Sequence, residues 1–368
     1  MWKESSEQQK VLKTGLTTGS CATACCVAAA HFLFADRLLS TVSITLPKGK
    51  QVDMPITGVS LEGGACRAAT IKDAGDDPDV THGAVVFVEL LLTQSKGVHF
   101  KAGPGVGTVT KAGLALQVGE PAINRVPRDM MRQHLEKLAD FYQYTGGFEV
   151  SVGVEKGELI AQKTMNPKLG ILGGLSILGT SGIVRPYSCA AWIASIYQGV
   201  DVAKASGLKH IAATTGNMSE KAIMEHYQLE QSALIEMGDF AGALLKHLKK
   251  APVAKLSICG GLGKISKLAN KHLDLHSRSS SIDFQHLADS AATLGASDSL
   301  VTDILSANTS IEVFKLCQQE GIDIAGSLCE QALAFARSIA PASIDIEVWA
   351  IDRQGHFIAH AKQQEGTE

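Results

Sequence analysis

Three short glycine-bearing segments in the second half of the chain are the residues best suited to hold a ligand. They are Thr215, Gly216 and Asn217; Gly238 and Asp239; and Gly260, Gly261, Leu262 and Gly263. Each closes a run of apolar residues and precedes a helix-like pattern. Glycine lets a ligand approach the backbone, and free N–H groups at the start of a following helix favour negative charge. Any one of these glycines alone reads as an ordinary tight turn. Together they favour a nucleotide-like ligand, but no Gly-x-Gly-x-x-Gly follows the first strand, so the pattern names no cofactor.

Three further segments have chemistry to offer. Residues 170–182, GILGGLSILGTSG, combine five glycines with an apolar run and a Thr–Ser pair. Such a backbone can wrap a ligand with its amides or act as a hinge between domains, and clefts between domains are common ligand sites. Thr17, Thr18, Gly19 and Ser20 put hydroxyls and amides at a helix start, which suits a carboxylate or phosphate and equally an ordinary N-cap from Ser20 or a threonine before it. Four aspartates, Asp73, Asp76, Asp77 and Asp79, crowd the loop ending at Thr81. Their spacing is not that of a calcium-binding EF-hand, and a solvated turn is the simpler reading. Gly103, Gly105 and Gly107 fall short of a phosphate-binding P-loop and read as a β-turn. There is no Gly-x-Ser-x-Gly elbow, no His-Glu-x-x-His and no Cys-x-x-Cys pair. No catalytic residue is therefore assigned, and no protein-bound metal is expected.

The elements that must carry these segments divide into two rhythms. In the first half, an Ala-rich buried helix over 21–37 is followed by a hairpin of 42–46 and 52–56. Strands at 65–71 and 84–92, a strand pair near 98–111, a helix over 128–142 and a strand over 147–154 complete it. This half is α+β. From about residue 188 strand, loop and helix repeat: strands at 209–215, 233–237 and 255–259, with helices at 189–206, 219–227, 240–249 and 264–271. Ser219 is the expected N-cap of the second of these helices. That alternation argues for a doubly wound parallel sheet. A helical stretch over 284–339 and a closing hairpin, 344–351 and 356–361, finish the chain. The boundary falls near Pro186, giving domains 1–186 and 187–368.

The 368 residues carry 34 basic and 37 acidic side chains, a net charge of −3, which does not suit a nucleic-acid partner. The lysine clusters at 246–250 and 264–271 read as solvated helix faces. The most apolar long stretch, 169–194, is interrupted by glycines and Arg185, so no membrane span is expected. The polar N-terminal stretch through Lys13 lacks the apolar core of a secretory signal. Eight scattered cysteines without such a signal point to reduced thiols and a cytoplasmic protein.

Taken in order, several segments resemble the CbiD family. They are TGLTTGSCATA (14–24), DAGDDPDVTHGA (73–84), GPGVGTVTKAGL (103–114), GEPAINRVPRDMM (119–131), NPKLGILGGLSILGTSGIVRPYS (166–188), TTGN (214–217), CGGLGKISKLA (259–269) and IDIEVWAIDRQG (344–355). The likeness runs along nearly the whole chain, and the 166–188 motif is the most specific part. It implies methylation of C1 of the corrinoid cobalt-precorrin-5B by S-adenosylmethionine, on the oxygen-independent route to cobalamin, and a Rossmann-like second domain. The cobalt belongs to the substrate. By motif position the resemblance points to Gly173, Gly174, Gly179, Thr180, Ser181, Gly216 and Asn217 for the methyl donor, with Asp239 for its ribose. It points to Thr17, Thr18, Ser20, Arg128 and Lys168 for the substrate's carboxylates, which suit Arg, Lys and backbone amides. For Arg128 and Lys168, structural pairing with the Asp-rich loop is the competing reading. Arg125 and Arg185 depart from the family's usual Pro and Glu. Two alternatives stay open: a nucleotide-dependent phosphotransferase, and a corrinoid carrier without catalysis. A homo-oligomer is compatible with either.

Overall fold

The computed structural model describes residues 12–363, so the polar stretch through residue 11 lies outside it. The chain falls into two compact units, Met1–Ser188 and Cys189–Glu368. Both mix helix with sheet.

The first unit is built on a five-stranded sheet with the spatial order Gly58–Glu62, Ala65–Ile71, Val85–Thr93, Gly147–Val154, Gly97–Ala102. All neighbours are antiparallel except the last pair, which is parallel. Period-two alternation turns Cys66, Ala68 and Thr70, and Val150, Val152 and Val154, to the inside. The helix Thr18–Ala35 lies against this sheet and the helix Arg125–Phe141. Its residues from Thr18 through Ala30 are all buried. It is apolar all round, as a helix enclosed by its own fold should be. Among the described residues it is the one helix long and apolar enough to cross a membrane, yet 72% of it is buried inside the protein.

The glycine-rich segment is neither helix nor free hinge. Its ends pair as short strands, Ile171–Leu172 with Thr108–Val109 and Ile183–Val184 with Gly15–Leu16. Between them Leu175 and Ile177 are buried and bridge to Val106 and Ile123. The strand Gly58–Glu62 and the short helix Gly157–Ala161 were not anticipated. The helix expected from residue 128 begins at Arg125, because Pro127 fits a first helical turn, where its missing N–H is not needed.

The second unit has a sheet ordered Leu234–Glu236, His210–Thr214, Lys255–Gly261, Asp345–Ile351, Phe357–Lys362. The first four strands are parallel; the last returns antiparallel as an edge. One face buries Ile211, Ala213, Leu256, Ile258, Ile346 and Val348 in the core that includes residues of the helices Cys189–Ala205, Ala241–His247, Leu262–Ala269 and Ile324–Ile339. On the other face, Ile223 of the helix Asn217–Tyr227 clusters with Ala212, Leu234, Cys259 and Ile351. The chain leaves His210–Thr214 for one neighbour and then crosses back to the other, Lys255–Gly261. At such a reversal the loops after adjacent strands diverge and open a crevice.

Candidate functional site

That crevice is a cavity of about 960 Å³. Its walls come from the loops the sequence singled out: Thr215, Gly216 and Asn217 after one strand, Asp239 after the next, and Gly261, Leu262 and Gly263 after the third. Ile351, Asp352, Arg353 and Gln354 close it from the terminal hairpin, and Ile311 and Phe314 from the helix Ser310–Gln319. A smaller cavity of about 350 Å³ lies apart from the strand ends, among Ala334, Arg337, Pro341 and Ile344.

The glycines divide into two kinds. At Gly216 and Gly261 an added Cβ would meet no protein atom within 4 Å, so the space beside them is open to a ligand. Gly260 would strike Thr215 at 2.7 Å and Gly263 approaches Ser310 at 3.1 Å, so these two serve internal packing. Ser219 is not an N-cap, as the sequence suggested. It is the third residue of its helix, where its hydroxyl donates to Gly216 O at 2.7 Å and accepts from Thr215 N and Gly216 N. This ties the loop down and leaves Asn217 and Met218 exposed at the helix start.

Asp239, read as a ribose partner, forms an ion pair with Lys264. Lys264 also donates to Leu275 O at 3.3 Å, and Lys267 donates to the same oxygen at 3.0 Å. The lysines of this helix are therefore not a solvated face: Lys267 is only 7% exposed, and both line the cavity. Burial lowers the pKa of each ammonium. The sequence signal was available in the glycine-led helix start with Lys264 and Lys267 one turn apart on one face, but lysine clusters so often face water that it passed as ordinary.

In the first unit the structure unites the Thr17–Ser20 turn with the loop over 178–182, through their own backbone. Thr17 is the N-cap, its hydroxyl accepting from Ser20 N at 3.2 Å. Leu178 N donates to the Thr18 hydroxyl at 2.9 Å, and the Ser20 hydroxyl donates to Gly182 O at 2.8 Å. All three side chains are buried, and their hydroxyls are bonded to the protein's own groups. Gly174 is pressed against Gly105 and Gly179 against Thr17, which no Cβ would permit. Ser181 bonds to Ile183, while Gly173 and Thr180 stay exposed.

Arg128 is held by Glu120 at 2.8 Å and by the carbonyls of Ile123 and Pro121, at 17% exposure. Its partner is thus Glu120 rather than the Asp-rich loop. Lys168 is half-buried in the turn after Asn166. The Asp-rich loop is a structural tie: Asp73 and Asp76 take Lys13, Asp77 takes Tyr187 N, and Asp79 takes Lys72 and Thr81. No group of metal-ligating side chains is found among the described residues.

Fold and site together define a mixed α/β protein with a small-molecule-sized pocket built on strand-to-helix loops of its second unit. Two family models match the chain, CbiD over residues 5–186 and the CbiD C-terminal domain over residues 274–362. A cobalt-precorrin-5B C(1)-methyltransferase of Marinomonas sp. (strain MWYL1) is 60% identical over 380 residues, covering 100% of this chain and 99% of its own. Those of Burkholderia lata and Pseudomonas paraeruginosa are each 59% identical, over 98% and 99% of this chain and 100% of their own. A crystal structure of the cobalamin biosynthesis protein cbiD from Archaeoglobus fulgidus is 29% identical, covers 70% of this chain and 80% of its own, and has a TM-score of 0.39. The chain belongs to the CbiD family.

Proposed function

We propose that this protein methylates C1 of cobalt-precorrin-5B with S-adenosylmethionine, giving cobalt-precorrin-6A and S-adenosylhomocysteine in cobalamin biosynthesis. Membership of the CbiD family, with about 60% identity along the full chain, is the observation that carries this reading. The second unit is read as Rossmann-like, with the donor in the crevice at its strand reversal. Gly216 and Gly261 leave room there for a ligand against the backbone, and the exposed Asn217 amide offers donors and an acceptor. Asp239 engages Lys264 through Oδ1 and is the less exposed of the two, so Asn217 takes precedence in this reading. In the first unit Gly173 and Thr180 are the candidates with surface left to offer.

The donor supplies an activated methyl on a sulfonium. The chain's task is to align that methyl with the attacking carbon and to exclude water, which assists a reaction that disperses charge. No nucleophile or general-base triad is required for such a displacement. The cytoplasm is the proposed setting, in keeping with eight free thiols. Incubating the protein with methyl-labelled S-adenosylmethionine and cobalt-precorrin-5B tests the reading. One label at C1, located by NMR, is expected; folded protein that leaves the corrinoid unlabelled would reject it.

A further inference from the structure

Lys267 is a buried cation without a counter-ion. Its ammonium carries three donors, and one of them reaches the Leu275 carbonyl at 3.0 Å. No carboxylate oxygen lies within 4.0 Å of it among the described residues; Asp274 acts on it only at longer range. A buried charge that is not paired is costly, and proteins rarely keep one without a use. Lys264 shares the same carbonyl, so two ammonium groups meet at one wall of the cavity, with Asp239 paired to Lys264 and Asp274 acting on both from farther away. Around the whole cavity four fixed cations, Lys264, Lys267, Lys315 and Arg353, face two carboxylates, Asp239 and Asp352. In a chain of net charge −3 this is a local excess of positive charge.

We propose that Lys267, supported by Lys264, is the binding site for a ligand carboxylate in this cavity. The inference rests on the donor reading for one of its two sources. That source is the amino-acid carboxylate of S-adenosylmethionine; the other is an acetate or propionate side chain of the corrinoid. Two of the three Lys267 donors are directed to the carboxylate, and Lys264 adds a second cation beside it. Asp239 holds Lys264 in place.

Calorimetry on the full-length protein and its Lys267→Met variant separates these cases. The probes are S-adenosylhomocysteine, which has the carboxylate; 5′-methylthioadenosine, which lacks it; and cobalt-precorrin-5B. For the donor source, Lys267→Met weakens S-adenosylhomocysteine by roughly 10- to 100-fold, the loss of hydrogen bonds to a charged group, and leaves 5′-methylthioadenosine within about twofold. For the corrinoid source, only cobalt-precorrin-5B weakens by that factor. If all three affinities stay within about twofold, the proposal is overturned. Thermal melts check that the variant folds. Methionine removes an unpaired buried charge, so the ligand-free Tm is expected to be unchanged or higher. Should melting show Lys267→Met unfolded, Lys267→Gln is measured against the same criteria. Wild-type protein that binds neither nucleoside probe rejects the donor reading alone, and the corrinoid arm then decides the carboxylate site.

Discussion

Glu347 sits in the middle of the second unit's parallel sheet, 3% exposed, where an unsupported carboxylate would become neutral. Burial by itself raises its pKa, but the Ser257 hydroxyl and the Lys255 ammonium, with the polar groups of Tyr227 and Trp349 nearby, outweigh it. They bring the group down from 4.5 to about 2. Lys255 Nζ stands 3.1 Å away, and the Ser257 hydroxyl donates directly to the carboxylate. A pKa lower in the folded state means that the ionised form stabilises the fold. The stabilisation is complete above the unfolded-state value and disappears as pH falls toward about 2. A difference of this size corresponds to about 3 kcal/mol at pH 7, of which roughly 2 kcal/mol is gone by pH 3. Glu347→Gln cannot titrate. Its stability deficit relative to wild type, from urea unfolding at each pH, is therefore expected to shrink by roughly 2 kcal/mol between pH 7 and pH 3. Taking the difference cancels the titrating groups remote from Glu347; His360, 3.5 Å from the carboxylate, is coupled to it, so both proteins are compared in a His360→Gln background. A deficit that stays constant over this range would show that Glu347 titrates normally and that the converging donors do not hold its charge.

Other perturbations separate the structural ties from the site. Lys72→Met removes the 2%-exposed partner of Asp79 and should cost about 3 kcal/mol, read as faster hydrogen exchange in the strand Ala65–Ile71. Gly105→Ala places a Cβ 2.0 Å from Val154 O at a positive φ and is expected to cost more than about 3 kcal/mol. Gly173→Ala, strained at φ +84 but in open space, should cost about 1 kcal/mol; thermal melts of the pair make the comparison. Gly261→Ala meets no protein atom and should lower stability by about 1 kcal/mol or less as an N-cap change, yet weaken S-adenosylhomocysteine several-fold in calorimetry, because the methyl enters the cavity.

Much of the second unit was legible because its strands are short apolar runs closed by glycine, and each such run proved to be a parallel strand ending at the crevice. The cavity gathers Gly216, Asp239 and Gly261 from three separate loops, as a sheet with one reversal of strand order will do. What the sequence hid was the use to which the glycines and hydroxyls of the first unit are put. Thr18 and Leu178 stand 160 residues apart, and nothing local says that one caps the other. Gly174 and Gly179 look the same in sequence whether backbone or ligand lies against them; here it is Gly105 and Thr17. Lys267 was misread for a related reason: a helix face is solvated or buried according to what crosses it, and here the crossing segment carries Leu275.

The enclosure of Thr18–Ala35 also bears on how the chain is made. This helix leaves the ribosome well before the segment between Leu178 and Gly182, whose carbonyls and amides bond its N-terminal turn. At typical synthesis rates of about 5–20 residues per second, roughly ten to thirty seconds pass before those partners exist. Throughout that interval the first turn of this apolar helix lacks those partners, while the strands and the helix Arg125–Phe141 that cover the rest of it are made sooner. Nascent chains should therefore depend on holding chaperones, and yields in a recombinant host should improve when translation is followed by cooling or chaperone supply.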